Sequence, residues 1–172
     1  NSFYGVLGSS GCRFFDTRLA SSITLRGHEI MLKTRGLIEA QGYSVIYGDT
    51  DSTFVWLRSE HSEADAARIG RELVQHVNQW WQAHVRDEYG QVSALELQFE
   101  THYSRFLMPT IRGAEEGSKK RYAGLVMRPD GQAEMVYKGL EAVRSDWSPL
   151  AQQFQQALYL RCLLYTSDAA DE

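Results

Sequence analysis

Tyr47-Gly48-Asp49-Thr50-Asp51-Ser52 lies between two apolar runs, Ser44-Val45-Ile46 before it and Thr53-Phe54-Val55-Trp56-Leu57 after it. Two β-rich runs around a Gly-Asp turn read as a hairpin. An Asx turn at Asp49 and a solvated Asp51 explain the local chemistry without any function. The paired carboxylates allow a second reading. Residues two apart in extended chain face the same way, and a hairpin tip would carry Asp49 and Asp51 beyond the sheet. Hard carboxylate oxygens placed there suit Mg²⁺, and paired metal ions stabilise the attacking and leaving oxygens of phosphoryl transfer.

Helical and strand periods fill the chain on either side. A helix is expected from Ser22, as its cap, to about Gln41, with Gly42 as its stop. Ala66, Ile69, Leu73, Val77, Trp81 and Val85 recur at helical spacing, which predicts a helix from Ser62 to about Tyr89, ended by Gly90. Leu95, Leu97 and Phe99 alternate with Glu96, Gln98 and Glu100, the pattern of a half-buried strand. Further strands are expected over Lys120–Met127 and Glu134–Lys138, around a turn at Arg128–Gly131. A last helix is expected over Trp147–Arg161, with Pro149 in its first turn. These elements define an α+β fold, a mostly antiparallel sheet packed on helices. The Ser62 helix and its upstream partner are expected to cover one sheet face, leaving the other as a floor for a large ligand.

Bulk properties exclude several classes. The 172 residues, 43% hydrophobic and 23% charged, are ordinary for a globular domain. No apolar run of about 18 residues supports a membrane span, and the start at Asn1-Ser2-Phe3 lacks an initiator Met and the regions of a signal peptide. Cys12 and Cys162 form neither a disulfide framework nor a zinc motif, which fits a reducing cytoplasm. Gly5, Gly8 and Gly11 lack dinucleotide-site spacing, and the five histidines form no metal motif. Trp80-Trp81 is read as the packing edge of its helix. The net charge is -4, and three of the acids lie in the last eleven residues, which carry no base. Those residues, C-L-L-Y-T-S-D-A-A-D-E, break the preceding helical pattern and resemble a reading frame of a sequencing adapter. Residues 162–172 are therefore expected to be a non-native tail.

Four motifs in order carry a resemblance. Asn1-Ser2-Phe3-Tyr4-Gly5, Y-G-D-T-D-S, Lys119-Lys120-Arg121-Tyr122 and Lys138-Gly139-Leu140-Glu141-Ala142-Val143-Arg144 resemble the N-S-x-Y-G, Y-x-D-T-D-S, K-K-R-Y and K-G-x-E-x-x-R motifs of family B DNA polymerases. The likeness extends over almost all of residues 1–161 and is strongest to bacterial members, through stretches such as Arg13-Phe14-Phe15-Asp16 and Phe106-Leu107-Met108-Pro109-Thr110-Ile111-Arg112-Gly113. It implies the end of the fingers over 1–21, the palm over 22–145 and the start of the thumb over 146–161.

The resemblance also implies roles. Asp51 is the metal-ligand carboxylate of a two-Mg²⁺ site, with Asp49 beside it in support. Asn1 and Tyr4 serve the incoming dNTP, and Gly5 lets the template approach. Thr50 touches the primer end. Lys119, Lys120, Arg121 and Tyr122 line the primer-template duplex, where phosphate neutralisation gives the sequence-independent binding that copying needs. Strand alternation would put Lys120 and Tyr122 on one face, making them the first choice for contact. The expected reaction is template-directed nucleotidyl transfer from dNTP to a primer 3′-hydroxyl, in the bacterial cytoplasm at the nucleoid, during DNA replication or repair. A sliding clamp would reach the parent protein through a C-terminal part outside this chain. The family's second carboxylate motif, D-x-x-S-L-Y-P-S, and the fingers lysine do not occur in the sequence, so the chain alone is expected to be inactive. Two other readings fit parts of the pattern: a palm-fold nucleotide cyclase, which gives Tyr4 and K-K-R-Y no task, and a non-catalytic DNA-binding module, which does not require D-T-D.

Overall fold

The computed structural model describes residues 2–49, 51–109, 120–128 and 130–165. Asn1, Thr50 and Lys119, all singled out by sequence, lie outside these. The elements in order are α1 (Ser2–Leu7), α2 (Thr17–Ala40), β1 (Ser44–Asp49), β2 (Ser52–Trp56), α3 (Glu63–Tyr89), β3 (Arg105–Leu107), β4 (Tyr122–Met127), β5 (Ala133–Lys138), a 3₁₀ turn over Glu141–Val143, and α4 (Pro149–Tyr165). The α+β class is as expected. Among the described residues the strands are antiparallel but form two ladders, β1-β2 and β3-β4-β5, where one sheet was expected.

The chain divides into two units, residues 1–58 with 73–97 and residues 59–72 with 98–172. In the first, α2 starts six residues earlier than Ser22 suggests. Asp16 caps it, its carboxylate accepting from the Arg18 amide (2.8 Å) and pairing with the Arg18 guanidinium. A cap that satisfies an orphan amide and holds a cation outcompetes a serine, which a helix interior tolerates. Three contacts place α2 antiparallel to residues 73–89 of α3: Arg26 with Tyr89, Thr34 with Trp81, and Gln41 with His76. At the centre, the Trp81 indole N–H donates to the hydroxyl of the buried Thr34. That satisfies the two polar groups carried into this apolar contact.

Residues 95–99 are a correction. Exposure alternates along them as expected, but they join no ladder. The Asn78 side chain takes the place of a partner strand, donating to the Leu97 carbonyl (2.9 Å) and accepting from the Leu97 amide (2.8 Å). Alternation reports which side chains are covered and not what the backbone pairs with.

In the second unit, Ala123 of β4 packs with Leu140, Ala142 and Leu163, flanked by Leu107, Met135, Tyr137 and Tyr159. Thus α4 closes the core of the three-stranded sheet, a role the sequence had suggested for the Ser62 helix and its upstream partner. The expected break after Arg161 does not occur. The helix runs on to Tyr165, because Leu163 lies one turn beyond Tyr159 and continues its apolar face.

Candidate metal hairpin and basic strand

Asp49 pairs with Ser52 at the end of the β1-β2 ladder, and Asp51 stands in the turn that joins the two strands. Asp49 therefore closes a strand while Asp51 belongs to the turn. The period-2 argument for a shared face does not apply to them. Their settings differ: Asp49 is half-buried and Asp51 exposed, with the Ser52 hydroxyl 3.5 Å from an Asp51 oxygen. A bulge at Ile46 precedes the tip, so that Tyr47 stands opposite Phe54, ring centroids 5.4 Å apart. Bulges bend and twist a strand, and this one seats an aromatic pair directly beneath the Asp49–Ser52 end.

The carboxylate oxygens suit a hard cation, which takes about six oxygen ligands. Among the described residues no group of three or more His, Cys, Asp or Glu side chains is arranged to hold a metal. The two carboxylates of the hairpin are fewer ligands than such a cation takes.

Tyr4 and Gly5 lie on α1, which packs against the start of α2, whereas β1 packs further along α2 at Met31. Tyr4 is 47% exposed. With Gly8, Phe15, Thr17, Ala20, Ser21, Thr24 and Leu25 it lines an open groove of about 650 Å³. Leu25, the groove residue furthest along α2, is six residues before Met31, so this groove and the hairpin are separated by roughly 9 Å along the helix.

Lys120, Arg121 and Tyr122 belong to the second unit. Lys120 is a correction: it stands outside β4 with φ +65°, so strand alternation does not align it with Tyr122. Tyr122 opens β4, its ring 5.2 Å from Phe106 and 6.1 Å from Tyr103. Tyr103 lies over Gly124, where a Cβ would collide with the ring. Burial, reinforced by a hydrogen bond with Tyr122, pushes the Tyr103 hydroxyl above the ordinary tyrosine range. Arg121 donates from Nε to the Gly139 carbonyl (3.1 Å) and pairs with the Glu141 carboxylate. Sequence reasoning missed Tyr103, Phe106 and Glu141 as neighbours of the basic run. Only the occurrence of Glu141 in the K-G-x-E motif hinted at any of them.

The hairpin carries the two carboxylates, and the basic turn stands at the start of β4, the central strand of its own sheet. Residues 1–171 match the model of DNA polymerase family B, and the chain belongs to that family. It is 70% identical to DNA polymerase II of Escherichia coli over 161 residues, covering 94% of this chain and 20% of that protein. It is 35% identical to the DNA polymerase delta catalytic subunit of Bos taurus, covering 95% of this chain and 14% of the relative. Identity to the DNA polymerase alpha catalytic subunit of Mus musculus is 31%, covering 88% and 9%. The chain thus spans a fifth or less of these relatives.

Proposed function

We propose that this chain is the palm segment of a DNA-directed DNA polymerase, with the end of the fingers over 1–21 and the start of the thumb over 146–161. The parent transfers a nucleotidyl group from dNTP to a primer 3′-hydroxyl, in replication or repair in the bacterial cytoplasm. The observation that carries this reading is the exposed Asp51 at the tip of the Y-G-D-T-D-S hairpin, in a chain of this family. Asp51 would hold Mg²⁺, with Asp49 in support and a further carboxylate supplied from outside these residues. Bound there, the ions would neutralise charge developing on the reacting phosphate.

Tyr4 packs under the nascent base pair, an assignment to which its exposure in the groove lends support. Asn1 helps hold the dNTP, Gly5 gives the template room, and Thr50 meets the primer end. Lys119, Lys120 and Tyr122 serve the duplex, with Arg121 behind them. The sliding clamp would bind the parent through another region.

Residues 1–161 placed in a whole family B polymerase, in exchange for its own segment, should support Mg²⁺-dependent primer extension. The isolated 172-residue chain should not. A folded chimera that binds primer-template and dNTP yet extends no primer would overturn the proposal, as would extension by the isolated chain.

A further inference from the structure

The β4-β5 ladder ends at the pair Tyr122 and Lys138, and beyond it the two chains run on as Lys120-Arg121 and Gly139-Leu140-Glu141. Both have left-handed residues, Lys120 at φ +65° and Gly139 at φ +61°. A Cβ at position 139 would strike the Lys120 carbonyl, so only glycine lets the two turns approach so closely. Left-handed backbone is disfavoured for lysine and persists where the surroundings hold it. Arg121 supplies the hold: its guanidinium spans from the Gly139 carbonyl to the Glu141 carboxylate. The far side is anchored in turn. Leu140 and Ala142, each 1% exposed, flank Glu141 in the core, and Gln156 of α4 donates to the Ala142 carbonyl (2.9 Å).

We propose that Arg121 is a positioning residue and not a phosphate ligand. With Glu141 and Gly139 it forms a clasp that fixes the Lys120 turn at the start of the central strand β4 and ties that turn to the 3₁₀ turn held by Gln156 of α4. This rests on the duplex-binding reading of Lys120. The guanidinium gives Nε–H to a carbonyl and a terminal nitrogen to a carboxylate, and that carboxylate offsets the positive charge it would offer to DNA. The basic run then divides its work, with Lys120 meeting the duplex and Arg121 setting where Lys120 stands.

The test measures primer-template affinity against salt in the whole-polymerase chimera. Lys120→Ala should weaken binding and reduce the salt slope by about 1. Glu141→Gln removes a negative charge beside a polyanion, so simple electrostatics predicts tighter binding. The clasp predicts weaker binding, by about three- to tenfold, and no further loss when Glu141→Gln is added to Lys120→Ala. Arg121→Lys keeps the charge but not the fork, and should weaken binding as Glu141→Gln does. Unchanged or tighter binding in Glu141→Gln, or full additivity with Lys120→Ala, would overturn the clasp. A general loss of folding would appear as additivity and as a fall in melting temperature in both backgrounds. If Lys120→Ala has no effect, the duplex-binding reading fails and takes the clasp with it, a result distinct from failure of the clasp alone.

Discussion

At the scale of single residues, two buried contacts make separate predictions. Trp81 and Thr34, 5% and 2% exposed, satisfy each other across the α2-α3 contact. Trp81→Phe leaves the Thr34 hydroxyl without its donor and should cost about 1–3 kcal/mol in chemical denaturation. Adding Thr34→Val should return part of that, since removing both partners leaves no orphan. A double variant no more stable than Trp81→Phe would contradict this account. Tyr103 predicts a pH dependence. Its folded pKa is raised, so its contribution to stability is intact below the ordinary tyrosine value of about 10 and is lost as pH rises beyond it. Denaturation midpoints between pH 8 and 11 should fall less steeply in Tyr103→Phe than in the parent.

At the scale of elements, the legible features were those set by local chemistry. The hairpin, the Ser62 start and Gly90 end of α3, and Pro149 in the first turn of α4 follow from turn and cap residues, which act on their own neighbours, although α4 starts two residues later than expected. The bulge at Ile46 depends on cross-strand pairing, and β3 is too short to show a period. Residues 95–99 misled because the Asn78 amide provides hydrogen bonds that a neighbouring strand supplies elsewhere. Asn78→Ala should therefore destabilise the fold by about 1–3 kcal/mol in urea titrations and speed amide exchange at Leu97, although no strand is broken. The start of α3 has its own pH dependence. The Ser62 hydroxyl donates to Asp65 and holds its carboxyl below the usual range. That stabilisation is present above about pH 4 and lost as pH falls. Amide exchange in the first turn should rise on acidification in the parent, and less so in Asp65→Asn.

At the scale of the whole molecule, the candidate site was legible as a set of motifs but not as a set of contacts. Y-G-D-T-D-S announced a turn with two acids, whereas the difference between half-buried Asp49 and exposed Asp51 emerged only from the strand register. The run Lys119-Lys120-Arg121 was legible as a cation cluster, with Lys120 and Tyr122 the first choice for contact, but the partners of Arg121 were not, because Glu141 and Gly139 are about twenty residues away in sequence. On the proposed reading, the exposed hairpin carboxylate of Asp51 serves chemistry and not merely the turn. The most direct measurement is single-nucleotide incorporation by the whole-polymerase chimera with Asp51→Ala, alongside primer-template binding. The account predicts incorporation reduced by about a thousandfold or more with duplex affinity little changed. Incorporation within a few-fold of the parent would contradict it.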